Sequence, residues 1–464
     1  MNHPRKPQLW EALVPVLGMT LIIVVTILKW GLEPHIPIVM ACLLAAFMAK
    51  RIGCSWNDIR SGMLESIFRA VEALVIVMIV GMLIGTWVQA GIVPGMVYYG
   101  LELISPSAFL LTGAILCAVV SMATGSAWTS SGTIGIALMG IAAGLGVNPA
   151  LAAGMVISGA YFGDKLSPLS DSTNVAAAAA ETNLYDHVGA MMYTTVPSFI
   201  IALIIYGVIG IKFGGGDFDA SRVKLIQETL LVEFNITPWI LLPPVFVIIS
   251  AVKRIPAIPS LLAGSIIGGI WAMIFQGNNI GEVLTAFHYG YSSETGVAVV
   301  DKLLSRGGVD SMMWTISLII FALAFGGILE KARFAEVIME KIIVRIKTVG
   351  GLVLATIITG IVSDFVLTDQ YLSILVPGRM FAPVYDKMGL ERRFLSRTLE
   401  DGGTLWSPMF PWNGCGAYQS ATLGVATFAY FPFAFMNLIN PILAIIFAYM
   451  GIAVFRKKEK EVSA

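Results

Sequence analysis

The sequence predicts an all-α polytopic membrane protein, organised as an inverted repeat of about five spans per half, with two re-entrant hairpins and two discontinuous helices. Three observations predict it. Of 464 residues, 57% are hydrophobic and 12% charged, and mean hydropathy is +0.83; a soluble domain is about a quarter charged. Apolar runs at 14–28, 73–84, 199–211, 316–328 and 441–454 have the composition of bilayer spans of about 20 residues. Two polar, Gly/Pro-interrupted stretches then break apolar regions in the two halves of the chain. They are Gly163-Asp164-Lys165-Leu166-Ser167-Pro168-Leu169-Ser170-Asp171-Ser172-Thr173-Asn174 and Gly402-Gly403-Thr404-Leu405-Trp406-Ser407-Pro408-Met409-Phe410-Pro411-Trp412-Asn413-Gly414. Unpaired backbone in hydrocarbon costs several kcal/mol per group, so such breaks survive only beside protein or a wet cavity. Matching breaks in two halves point to a transporter's binding site.

The elements follow in order. The first half is expected to cross near 11–31, 36–50, 66–89, 150–182 and 189–212. The second is expected to cross near 238–252, 257–276, 311–329, 394–430 and 432–455. Trp10, Pro15 and Pro37 resemble Trp239, Pro243 and Pro259; Asn57-Asp58 before Gly62 resembles Gly281-Glu282 before Gly290. Gly81 and Gly85 match the Gly-rich end of 319–327. A polar knot at 124–131 falls opposite one at 364–371, and each is expected to be a hairpin tip. The repeats are therefore 1–212 and 237–464, the latter with a short basic tail, joined by a polar linker, 213–236.

Charge placement gives the orientation, because cytoplasmic loops carry the excess of Lys and Arg. Five crossings per half put both termini on one side. That side then holds Arg5, Lys6, Lys50, Arg51, Arg60, Lys253, Arg254, Lys331, Arg333, Lys341, Arg345, Lys347, Arg392, Arg393, Arg397 and the tail Arg456-Lys457-Lys458. The other side holds little beyond Lys29, Lys212, Arg222, Lys224, Lys302 and Arg306. Segments 91–104 and 332–347 are expected along the interface, since sinking the cations of the second into lipid costs about 2.5–3.5 kcal/mol each. The first apolar segment lacks a small-residue cleavage site and reads as a retained span. Both termini are expected in the cytoplasm.

Other classes find little support. Net charge is zero, so nucleic acid is not an expected partner. Cys42, Cys54, Cys117 and Cys415 make no metal spacing and read as packing residues. His3, His35, His187 and His288 make no ligand motif. No G-x-S-x-G elbow stands near Ser131, so an enzyme is not expected. No cofactor is implied.

Ionisable groups at membrane depth are costly and are functional candidates by default. Asp164 and Asp171 sit in the first break, Asp364 and Asp369 in the second knot. Around them stand Ser126, Thr129, Ser167, Ser172, Thr173, Asn174, Thr368, Ser407 and Asn413. Hydroxyl, amide, carboxylate and unwound carbonyl oxygens are what a hard cation needs to replace its water. Desolvation favours a protonated carboxyl and a bound cation favours the charged form. One group can thus hold either Na⁺ or a proton. Lys165 has two readings: it locks a pair with Asp164, or it releases a proton when Na⁺ arrives. Asp364 has a bland alternative as a helix cap. The hydroxyl runs have another as glue between helices. Glu65, Arg69 and Glu72 read as a salt-bridged face, and His35 as a helix-end polar group. Glu181, Asp186, Glu400 and Asp401 are candidates to line the access path. Arg379 reads as an interface residue, with an organic carboxylate anchor as the alternative.

The twelve residues Gly163 to Asn174 resemble the signature of NhaC-type Na⁺/H⁺ antiporters, of the ion transporter superfamily. So do Asp369-Gln370-Tyr371-Leu372-Ser373 with Pro377-Gly378-Arg379-Met380, and Pro411-Trp412-Asn413-Gly414-Cys415-Gly416-Ala417-Tyr418. The resemblance runs from about Trp10 to Phe455. It implies a bacterial inner-membrane protein that exchanges external protons for internal Na⁺, built on inverted repeats with hairpin tips and broken helices. Ser172 and Asn413-Gly414-Cys415-Gly416 depart from the family pattern; both keep small residues and every carboxylate. The same family includes a malate/lactate antiporter, so malate or lactate is the alternative cargo.

The resulting expectation is alternating-access Na⁺/H⁺ exchange. Asp164, Asp171, Asp364, Asp369, Ser172, Thr173, Asn174, Thr368 and Asn413 are the expected ion and proton ligands, with Asp171 and Asp369 on the transported Na⁺. Lys165, Ser126, Thr129, Ser167, Ser407 and Arg379 are expected to support them. Expected partners are Na⁺, H⁺ and the lipid bilayer; a homodimer stays open.

Overall fold

The computed structural model describes residues 4–31, 33–214, 220–343 and 347–457. Arg345 and Lys458 lie outside them. Among the described residues the regular elements are helical, with two isolated bridges, Tyr291 to Arg306 and Leu390 to Arg456. Among the described residues seven helices are long and apolar enough to cross a membrane, including Val71–Gln89, Ala127–Leu145, Ala257–Gln276 and Val309–Lys331. Two bent pairs raise the number to nine: Val223–Glu233 with Pro238–Val252 at 97°, and Thr427–Phe433 with Phe435–Met450 at 57°.

Leu9–Trp30, Ala257–Gln276 and Val309–Lys331 fall within two residues of the spans expected from hydropathy. The span expected at 66–89 is instead two helices, Trp56–Arg69 and Val71–Gln89, meeting at Ala70 (φ −99°, ψ 3°). The charges explain the difference. Glu65 pairs with Lys331 at 3.2 Å and Arg69 pairs with Glu330, which holds this polar turn at the surface. The apolar run begins only after it. Helix Ile92–Leu103, expected along the interface, buries Val97 and Leu101 against Gly140 and Gly144.

From there each half runs through the same order of elements. A helical hairpin comes first, Phe109–Thr124 with Ala127–Leu145, and Val349–Leu367 with Gln370–Lys387. A broken helix follows. In the first half it is Pro149–Leu166 then Asp171–Ala179. In the second it is Arg392–Leu399, prolonged by a π turn at Glu400–Thr404, then Gly414–Leu423. Leu184–Gly214 and Phe435–Met450 close the halves.

The first hairpin and first broken helix touch backbone to backbone. Gly159 and Gly163, one turn apart, lie on Ala114 and Ala118. A Cβ on Gly163 would collide with the Ala118 carbonyl and stand 2.5 Å from the Met122 nitrogen. Ser121 Oγ donates to the Ala160 carbonyl at 2.5 Å across the same seam. Small residues four apart allow this approach where lipid supplies no hydrophobic drive. Gly163→Val should therefore cost about 1–3 kcal/mol through overpacking. Thermal unfolding in detergent measures it, and an unchanged midpoint would refute the packing account.

Candidate functional site

The four interruptions meet at one cavity of about 750 Å³. Ser126 and Thr129 line it from the first hairpin tip, and Thr368, Asp369 and Tyr371 from the second. Asp164, Ser170, Asp171, Ser172 and Asn174 come from the first broken helix, Asn413 and Cys415 from the second. Arg69, Glu72, Tyr185 and Arg254 also line it and are exposed, so they mark its mouth.

The two tips are built alike. Phe109–Thr124 ends at Gly125 in the left-handed region (φ 69°, ψ 27°), and Ser126 then caps the next helix, accepting from the Thr129 amide at 3.1 Å. Val349–Leu367 ends at Thr368 (φ 60°, ψ 16°), and Asp369 caps the next helix, accepting from the Leu372 amide at 2.8 Å. A β-branched residue at positive φ is strained by about 1–3 kcal/mol. The Thr368 carbonyl is held there by the Gly414 amide at 3.2 Å. The cap is therefore Asp369, whereas the sequence reading offered that role to Asp364. Asp364 is buried and accepts from Asn413 Nδ2 at 3.1 Å. Asn413 Oδ1 in turn accepts from the Cys415 amide at 3.0 Å and caps Gly414–Leu423. One side chain thus ties the second tip to the second break.

In the first break most hydroxyl and amide donors are spent on freed carbonyls. Thr173 Oγ1 donates to the Lys165 carbonyl at 3.1 Å, and Asn174 Nδ2 to Ser170 at 2.7 Å and Pro168 at 3.1 Å. Ser167 Oγ donates to Met122 at 2.9 Å, and Ser407 Oγ to Thr404 at 2.8 Å. This is the satisfaction of backbone that a broken helix requires. Ser170 and Ser172 hydroxyls lie 3.1 Å apart. The carboxylates that line the cavity inside its mouth are Asp164, Asp171 and Asp369, with Glu72 at the mouth. Asp171 opens the half-helix Asp171–Ala179, whose macrodipole favours negative charge at that end.

Lys165 does not pair with Asp164. Its buried ammonium contacts Asp401 and donates to Asn440 Oδ1 at 2.9 Å. Asp401 also accepts from Thr194 at 3.2 Å, with Arg397 Nε 3.8 Å away. Neighbours in a helix do not face each other, so Lys165 turns away from the cavity that Asp164 lines. Glu400 and Asp401, read from sequence as access-path residues, are fully buried. Arg379 is exposed and does not line the cavity. Sequence reasoning missed Trp128, Tyr185 and Arg254 as lining residues; single aromatic and basic residues at span ends carry no spacing signal.

Three carboxylates and several hydroxyls around a space of this size suit a hard cation. Since each water takes about 30 Å³, the cavity has room for a cation with much of its hydration.

The Na⁺/H⁺ antiporter family matches residues 159–452. The malate-2H⁺/Na⁺-lactate antiporter of Bacillus subtilis (strain 168) is 38% identical over 100% of this chain and 99% of its own. The Na⁺/H⁺ antiporter NhaC of Alkalihalophilus pseudofirmus is 39% identical over 96% of each chain. The arginine/ornithine antiporter ArcD of Halobacterium salinarum is 36% identical over 98% of this chain and 95% of its own.

Proposed function

We propose, because this chain belongs to the Na⁺/H⁺ antiporter family, that it exchanges cytoplasmic Na⁺ for external protons by alternating access. One observation carries the site assignment: Asp164 and Asp171 from one half and Asp369 from the other reach the same cavity. In this reading Na⁺ is held by Asp171 and Asp369 with Thr368 and nearby hydroxyls. A proton and Na⁺ compete for these carboxylates, so each ion carries the same site across. Asn413, Thr173, Asn174, Ser167 and Ser407 act as positioning residues. The halves 1–212 and 237–464 form the inverted repeat in a bacterial cell membrane, with both termini in the cytoplasm. In this reading the cavity mouth, which carries Arg254, opens on the side that the charge rule assigns to the cytoplasm. The test is proteoliposome exchange: an imposed Na⁺ gradient drives counter-flow of protons, and its absence in folded protein overturns the reading.

A second reading, exchange of an organic carboxylate, is favoured by cavity size. About 750 Å³ lies within the roughly 300–1,000 Å³ of small-molecule sites. Arg69 and Arg254 offer cations at the mouth; Arg379 does not reach it. Arg379→Ala should leave radiolabelled malate or lactate uptake, and Na⁺/H⁺ exchange, within about twofold of the parent. A larger loss would return Arg379 to the substrate path.

A further inference from the structure

We propose that Glu400 and His187 form a second proton-carrying site, separate from the acids of the cavity. The proposal rests on the Na⁺/H⁺ exchange reading and adds a coupled proton to it. Both residues are fully buried. Glu400 begins the π turn Glu400–Thr404, a rare geometry that is frequent at functional sites. His187 Nε2 lies 3.8 Å from Glu400 Oε1. Neither Glu400 oxygen, nor His187 Nε2, has a hydrogen-bond partner among the described residues.

The neighbouring bonds fix where the proton must be. Ser396 Oγ donates to the Arg393 carbonyl at 3.0 Å, which commits its only hydrogen. With that hydrogen committed, His187 Nδ1, 2.7 Å from Ser396 Oγ, is assigned as the donor of that contact. Nε2 of a neutral imidazole would then set a lone pair against a carboxylate. One proton between them removes that clash, as imidazolium with carboxylate or as imidazole with carboxylic acid.

The surroundings leave this proton unmatched by any other pairing. On its own element Glu400 is followed by Asp401 and preceded by Arg397. Arg397 faces Asp401, donates to the Ala453 carbonyl at 3.0 Å and lies over the Phe394 ring. From the first broken helix, Lys165 is held by Asp401, and Asp164 is within electrostatic reach of Glu400. The second hairpin brings Tyr385, bonded to Thr356, and Asp364, held by Asn413. Phe435–Met450 presents the amides Asn437 and Asn440. Asp171, in the half-helix packed nearby, faces the cavity. Lys165 and Arg397 both face Asp401, and the ionisable partner that stands against Glu400 is His187. The reach to Asp164 couples the pair to the ion site: while Asp164 is deprotonated and holds no cation, its negative charge favours a proton on the dyad, and neutralisation of Asp164 by Na⁺ or H⁺ favours release of that proton.

Reversal potentials in proteoliposomes read the coupling ratio directly. In Glu400→Gln and His187→Asn, the ratio should fall by about one proton per Na⁺ relative to the parent. An unchanged ratio in either folded variant overturns the proposal. Where a variant carries no flux, ¹⁵N-histidine spectra of the parent protein decide, with His187→Asn identifying the signal. Na⁺ added at fixed pH should shift the His187 imidazole resonances, and resonances indifferent to Na⁺ overturn it. Failure of the parent to exchange at all would instead strike the function reading, and the spectra would still decide the dyad.

Discussion

Asp171→Asn and Asp369→Asn should each reduce Na⁺-dependent proton flux at least about a hundredfold, equivalent to about 2.8 kcal/mol of lost ion binding. Each change removes a carboxylate that lines the cavity while keeping its size. The amide of Asn can still cap a helix, so the Asp369 variant keeps the bond to the Leu372 amide and should fold. The pH dependence separates loss of binding from loss of coupling. A proton competes with Na⁺ for a carboxylate, so the parent should bind Na⁺ more tightly as pH rises. An amide has no such proton, so the variants should show a flattened dependence. Flux in both variants at the parent level would defeat the assignment of these two acids.

Lys165→Met should destabilise the protein by about 1–3 kcal/mol, because it removes the nearer of the two cations that compensate buried Asp401 and leaves Arg397, 3.8 Å away. Thr194 and the more distant Arg397 would remain as partners for Asp401, which reduces the loss without cancelling it. The double variant Lys165→Met/Asp401→Leu should recover part of the loss, since it removes both charges of the pair but leaves buried Arg397 without its carboxylate. Denaturation in detergent measures all three proteins. Additive effects in the double variant would show that the two side chains do not interact.

Hydropathy and the Ser-Pro breaks made the spans and interruptions legible, because lipid imposes both length and backbone satisfaction. The four polar segments were legible as one site for the same reason. Which oxygen does what was not. Asp164 and Lys165 are adjacent in sequence and invite pairing, yet the helix turns Lys165 toward Asp401, far along the chain. Thr173 and Asn174 look like ligands by composition, but a break leaves carbonyls that the nearest donors satisfy first. The interruption at Ala70 was hidden because Arg69 and Glu72 flank it within a helical spacing. His187 and Glu400 belong to helices that meet only through the fold, and no spacing rule joins them.

The seam at Gly159 and Gly163 has a mechanical consequence. Two helices in main-chain contact cannot slip past each other by a fraction of a turn without steric collision. The first hairpin and the helix bearing Asp164 therefore travel as a welded strut. Displacement during a transport cycle has to occur at its outer boundaries, where side chains rather than backbones meet and can exchange partners.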